Sequence, residues 1–186
     1  MFLYVFENLV LQSYKIKMAS PQNIAIILAG SNLGNRLHNL TEAAMFLEKL
    51  SEKNTDSSSV YETAPWGSQQ QPPFLNQAFR IHTSITAKEL LAELLSFEKS
   101  SGRVRVQQWE PRSIDLDIIF YNHDIISSPE LTIPHKHLHE RRFVLEPLVE
   151  LIPDFIHPVF GKRIAELLDT CEDELKVTKF PVYAQK

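Results

Sequence analysis

The segment from Asn23 to Ala29 reads Asn-Ile-Ala-Ile-Ile-Leu-Ala. It is short, rich in β-branched residues and apolar on both faces, which is the pattern of a buried central strand. Such a strand belongs in the interior of a sheet and sets what the other segments must build around it. Gly30-Ser31-Asn32-Leu33-Gly34 reads as the turn that ends it.

The later segments supply partners in a definite order. Leu37, Leu40, Ala44, Leu47 and Leu50 fall on one face of a helix. Residues 57–63 read as a second strand, and residues 64–73, with three prolines and a glycine, as a loop. From Phe74 to Thr83 the side chains alternate as a third strand would. Thr86 and Glu89 are spaced as a capping box, followed by Leu90, Leu91, Leu94 and Leu95 at helical intervals and by Gly102 as a stop. After an Arg-rich loop, residues 113–121 read as a fourth strand. Ile114, Leu116, Ile118 and Phe120 are expected to point one way, and Asp115 and Asp117 the other. The order β-α-β-β-α-β predicts an α+β, ferredoxin-like sandwich. C-terminal additions follow, with helical patterns at residues 143–151 and 163–168.

Residues 21–170 are expected to form the domain, and the charged stretch 171–186 a loosely held tail. Residues 1–20 precede it as an extension. Its apolar run has no basic segment before it and no small-residue cleavage site after it, which argues against a signal peptide. Met18 reads as an alternative start, and an extra element packed on the domain as the other reading.

Charge and cysteine content narrow the function classes. A formal net charge of −4 argues against a general nucleic-acid binder. No run of 18 apolar residues is present, so no membrane span is expected. The one cysteine, Cys171, cannot form an intrachain disulfide, and a cytoplasmic location is expected. No exposed apolar helix face demands a partner, so a monomer is expected.

Three features could carry chemistry. Asp115 and Asp117, two apart on a strand, share one face with Cα atoms about 6–7 Å apart, and two hard oxygen donors at that spacing suit Mg²⁺. Arg103, Arg105 and Arg112 flank the loop leading into that strand and offer planar forks for phosphate. The bland alternatives are a solvated strand face and solubilising surface charge. His135, His137 and His139 form a His-x-His-x-His run that could serve zinc, although Pro134 and Glu140-Arg141-Arg142 turn the chain there and favour one imidazole on phosphate. Trp66, Phe74, Trp109 and Phe143 could sandwich a flat heterocycle, with Asn76 reading its edge.

The stretches Gly30–Arg36, Ser58–Gly67, Gln71–Gln77, Gly102–Arg105, Trp109–Ile119 and Leu131–Leu148 together resemble the 6-hydroxymethyl-7,8-dihydropterin pyrophosphokinases of folate synthesis. The resemblance implies transfer of diphosphate from ATP to the pterin hydroxymethyl group, with AMP released. It implies two Mg²⁺ on Asp115 and Asp117, and catalytic roles for these aspartates with Arg103 and Arg112. Glu98, Arg105, Ile118, Leu131, Thr132, His135 and Arg141 match ATP-contacting positions. Thr63, Ala64, Trp66, Phe74, Asn76, Trp109, Asp115 and Phe143 match pterin-binding ones. Glu110, before Pro111, departs from the family's usual small residue. The alternatives are a metal-dependent hydrolase built on the aspartates and the histidine run, and a regulatory or RNA-contacting binding module on the same sandwich.

Overall fold

A computed structural model describes residues 23–65, 71–102 and 113–181. The expected central strand is β1, Asn23–Ser31, and it pairs antiparallel with β4, Phe74–Thr83, on one side and β5, Asp115–Tyr121, on the other. The sheet continues from β4 to β3, Tyr61–Thr63, and then to β8, Val177–Lys179, while β2, Asp56–Ser57, also pairs with β4. A separate hairpin joins β6, Ile126–Ser127, to β7, Thr132–Ile133. The fold is therefore mixed α/β, built on an antiparallel sheet.

The apolar character of β1 on both faces has a direct cause: both are covered. Ala25, Ile27 and Ala29 pack with Leu40 and Leu47 of α1, Arg36–Leu50, and with Leu90 and Leu94 of α2, Ala87–Ser100. Ile26 and Leu28 face the opposite layer. There Val144, Leu145 and Leu148 of α3, Arg142–Leu151, pack beside Ile164 and Leu167 of α4, Ile164–Asp169.

Local signals bound the helices, at α2 with the capping box and the glycine that the sequence indicated. Asn35 caps α1, its side chain accepting from the His38 N–H at 3.1 Å. Thr86 and Glu89 close their reciprocal capping box at α2, and Gly102 follows that helix at φ +85°, a conformation glycine adopts without a Cβ penalty.

Four expectations need correction. First, β1 does not turn at Gly30 but runs through Ser31, because Asn76 and Asp115 pair with Gly30 from either side. Second, the second strand is broken. The Ser58 hydroxyl accepts from the Ala78 N–H at 3.0 Å, replacing a ladder bond, and the strand resumes only at Tyr61. Third, Phe120 does not share a face with Ile114, Leu116 and Ile118. The register slips between Ile26 and Ile27, so Ile27 faces Ile118 while Ile26 faces Phe120. The extra residue, Ile119, reverses the alternation and sends Phe120 into the α3–α4 layer. Fourth, the charged tail contributes β8, which pairs with β3.

Candidate functional site

Strand register assembles the site. Asp115 lies opposite Gly30, Gly30 opposite Asn76, and Asn76 opposite Tyr61. Cross-strand partners share a face, so these four form one row across the sheet on the α3 side. At roughly 4.8 Å per strand, Asp115 and Asn76 stand about 10 Å apart with only a glycine between them. A Cβ added at Gly30 would lie 3.0 Å from Asn76 Oδ1 and 3.9 Å from Phe74 Cδ1. The bare backbone there leaves a floor between the carboxylate and the amide. The sequence alone marks Gly30 only as a turn residue. Its role appears once both neighbouring strands are in register.

On one side of this floor the polar groups are buried and joined. Asn76 and Thr63 are both nearly inaccessible, and Asn76 Nδ2 donates to Thr63 Oγ1 at 2.9 Å. Phe74, half-buried at the start of β4, lies opposite Thr63. Ala64 follows Thr63 at the exposed rim. Phe143 sits at the start of α3, packed against the core of that layer, with the Arg141 guanidinium 5.8 Å from its ring centroid. Arg36 holds the loop above, reaching Glu62 and the Pro73 carbonyl at 2.8 Å each. Asn32 reaches Gln71 at 3.1 Å.

On the other side stand the aspartates. Both are half-exposed on the α3 face of β5, with Asp117 opposite Leu28 at the border of the apolar core. Leu116, between them, has its N–H bound at 2.7 Å by Glu98, a carboxylate buried under α2. Glu98 therefore fixes the open edge of the strand that carries both acids. The strand's entry is also pinned: the Ser31 hydroxyl and Asn39 Nδ2 both donate to the Ser113 carbonyl, the latter at 2.8 Å. The Ser113 hydroxyl donates to the Ser101 carbonyl at 3.0 Å. Neither Asn39 nor Ser31 stood out in the sequence; both serve the site by hydrogen bonds to backbone, which leave no motif.

His135 joins this side through its backbone N–H, which donates to the Ile119 carbonyl at 3.0 Å. Its imidazole is held down to about pKa 4 by burial first and by the Arg141 charge second, with Asp115 opposing weakly. It is therefore neutral near pH 7, and its buried Nδ1 has no hydrogen-bond partner among the described residues. Thr132 is exposed on β7, and Leu131 packs at the edge of the α1–α2 core. Ile118 points its side chain into that same core, so only its backbone can face a ligand.

The histidine run does not converge. His137 turns to Glu140 at 3.0 Å and His139 packs edge-on against Phe160. Among the described residues no three His, Cys, Asp or Glu side chains are grouped to hold a metal. The donor set at β5 is instead two carboxylates on one face, which fits Mg²⁺ completed by water and phosphate oxygens and does not fit a closed zinc site. Trp66, Arg103, Arg105, Trp109 and Arg112 lie outside the described residues.

Fold and site together define a mixed α/β domain with a carboxylate pair on β5 and, across Gly30, the buried Asn76 amide beside Phe74. The chain belongs to the 7,8-dihydro-6-hydroxymethylpterin-pyrophosphokinase (HPPK) family, whose model matches residues 26–153. It is 39% identical over 158 residues to the Haemophilus influenzae 2-amino-4-hydroxy-6-hydroxymethyldihydropteridine pyrophosphokinase, covering 84% of this chain and 98% of that protein. It is 42% identical over 158 residues, 83% of its own length, to the Pneumocystis carinii folic acid synthesis protein fol1, of which it spans 21%. Thus the chain spans under a third of several longer curated relatives, 27% of one from Pisum sativum and 23% of one from Schizosaccharomyces pombe. The crystal structure of Plasmodium falciparum HPPK-DHPS wild type with SDX-DHP matches at a TM-score of 0.63 and 15% identity, over 81% of this chain and 44% of that one. At that identity the likeness concerns the fold alone. Among the described residues no helix is long and apolar enough to cross a membrane.

Proposed function

We propose that this chain transfers the β,γ-diphosphate of ATP, as a unit, to the hydroxymethyl oxygen of 6-hydroxymethyl-7,8-dihydropterin and releases AMP. The substrate oxygen bonds to Pβ as the bond from Pβ to the oxygen bridging Pα breaks, and the hydroxyl proton passes to solvent. The observation that supports this reading is the row Asp115–Gly30–Asn76, with a carboxylate and a buried amide on either side of a glycine. Membership of the family supports it.

Asn76 presents the ring-edge contact, with Thr63 holding the amide in one orientation. Phe74 and Phe143 flank the ring from the sheet and from α3, Ala64 offers backbone, and Trp66 and Trp109 complete the set of pterin-contacting positions that the family resemblance implies. Asp115 and Asp117 would hold two Mg²⁺, which supply charge neutralisation and orient the phosphates for in-line attack. Arg103 and Arg112 add positive charge at the transferring group. Arg105, Thr132, Leu131, His135, Arg141 and the Ile118 backbone face ATP. Glu98, in this reading, acts through the strand edge that it holds. The strand order β5-β1-β4-β3 supports a ferredoxin-like core, with α3, α4 and β8 added. The chain works as a cytoplasmic monomer on these two substrates.

Product analysis tests the reading. Purified chain with ATP, Mg²⁺ and the dihydropterin should form AMP and pterin diphosphate in equal amounts. ADP in place of AMP would mean ordinary γ-phosphoryl transfer and would overturn it.

A further inference from the structure

Helix α3 carries Phe143 at its first turn and Glu150 at its last. Positions 143 and 150 are two turns apart, about 10 Å along the axis, and lie on the same side of the helix. The Glu150 carboxylate gathers several donors from the sheet's edge. The Tyr61 hydroxyl donates to it at 2.6 Å, and the Ser59 N–H and hydroxyl donate at 3.1 and 2.8 Å. Lys179 Nζ of β8 pairs with it at 3.2 Å. Tyr61 in turn is buried and lies directly opposite Asn76 in the row that forms the floor of the site.

The helix between these two residues is interrupted. Pro147 has no N–H to offer the Phe143 carbonyl four residues before it, so one rung of the ladder is missing. At its N-terminal end α3 is fastened to Asp173, beyond α4, through the Arg142 N–H at 3.0 Å, and Arg142 Nε donates to the Asp173 carbonyl at 2.8 Å. That fastening ties α3 to its own layer. The apolar face of α3 packs on Ile26, Leu28 and Ala78, and Glu150 adds a polar link from its last turn to the row through Tyr61.

We infer that Glu150, acting through Tyr61, is a positioning residue that sets the height and tilt of α3, and with it of Phe143, over Asn76. The inference deepens the pterin reading above and rests on it. It assigns a rim carboxylate, which touches neither substrate, to the fit of the flat ring. The alternative is that the clasp stabilises the fold without bearing on the site.

Two variants separate these roles. Glu150→Gln keeps the shape and removes the charge; Tyr61→Phe keeps the packed ring and removes the hydroxyl. In each, KM for the dihydropterin should rise roughly tenfold while KM for ATP stays within about twofold, because a small displacement acts on the ring alone. The double variant should be no worse than Glu150→Gln alone, since the Tyr61 hydroxyl bond is one of the links that Glu150 makes. Leu47→Ala, in the core of the α1–α2 layer, serves as the control: it should lower Tm and leave the ratio of the two KM values unchanged. Lower Tm in the Glu150 and Tyr61 variants with both KM values at the wild-type level would overturn the inference and leave the reaction standing. Equal rises in both KM values would also overturn it. A wild-type chain that forms no AMP would overturn the reaction and this role with it.

Discussion

The two halves of the site are built differently. On the side proposed for the pterin, Asn76 is buried and bonded to Thr63, while Asn32 and Arg36 hold Gln71 and the Pro73 carbonyl before β4. On the side proposed for the nucleotide, Asp115, Asp117, His135 and Arg141 are partly exposed and Thr132 is exposed, and they come from β5, β7 and the stretch that leads into α3. A flat neutral ring is recognised by shape and by a few fixed hydrogen bonds, which need a rigid frame. A polyphosphate is held by charge, which tolerates looser placement and draws on distant segments. The shared boundary is β5, whose edge is fixed by Glu98 at Leu116 and whose entry is pinned by Asn39 and Ser31 at Ser113.

Breaking that boundary should cost most. Asp117→Ala removes a carboxylate proposed to hold Mg²⁺ at that boundary, and turnover should fall about a thousandfold with the circular dichroism spectrum unchanged. Loss of less than tenfold, at saturating Mg²⁺, would mean that the carboxylate is only a solvated strand residue.

The smallest effect sharpens the contrast from the pterin side. Burial of Glu150 would raise its pKa, but the hydrogen bonds from Tyr61, Ser59 and Lys179 outweigh it and hold the carboxyl at about 2. Tyr61 is pushed up, first by its burial and then by Glu150. A carboxyl depressed in the folded state contributes stability that is present above its ordinary value and lost as the pH falls toward 2. Acid titration of Tm between pH 5 and 2 should therefore be shallower in Glu150→Gln than in the wild type. Equal slopes would show that the carboxylate is not engaged in solution.

Much of this was legible in the chain itself, and the reasons differ by residue. The two-faced apolar pattern of residues 23–29 announced a covered central strand, and the strand at Phe74–Thr83 and the Thr86–Glu89 box follow from local chemistry. The Asp115 and Asp117 pairing on one face follows from strand period. The reversal at Phe120 did not, because a bulge depends on the neighbour's register and apolar residues fill either face equally well. Nor did the break at Ser58, where a hydroxyl substitutes for backbone. The meeting of Gly30, Asn76 and Asp115 joins three segments distant in sequence; the resemblance to a family groups Asn76 with Asp115, and Gly30 enters only with the strand register. Tyr61 and Glu150 carry no motif; they are paired by the packing of α3 on the edge of the sheet.

In the proposed site, the bare backbone at Gly30 leaves room for the pterin ring between carboxylate and amide. This arrangement is tested most directly by Gly30→Ala, with KM measured separately for each substrate. The added Cβ would sit 3.0 Å from Asn76 Oδ1 and must displace the amide that Thr63 holds. KM for the dihydropterin should rise about tenfold or more, with KM for ATP changed by less than about twofold. Unchanged KM for the dihydropterin, or an equal rise for ATP, would contradict the division of the site along this row.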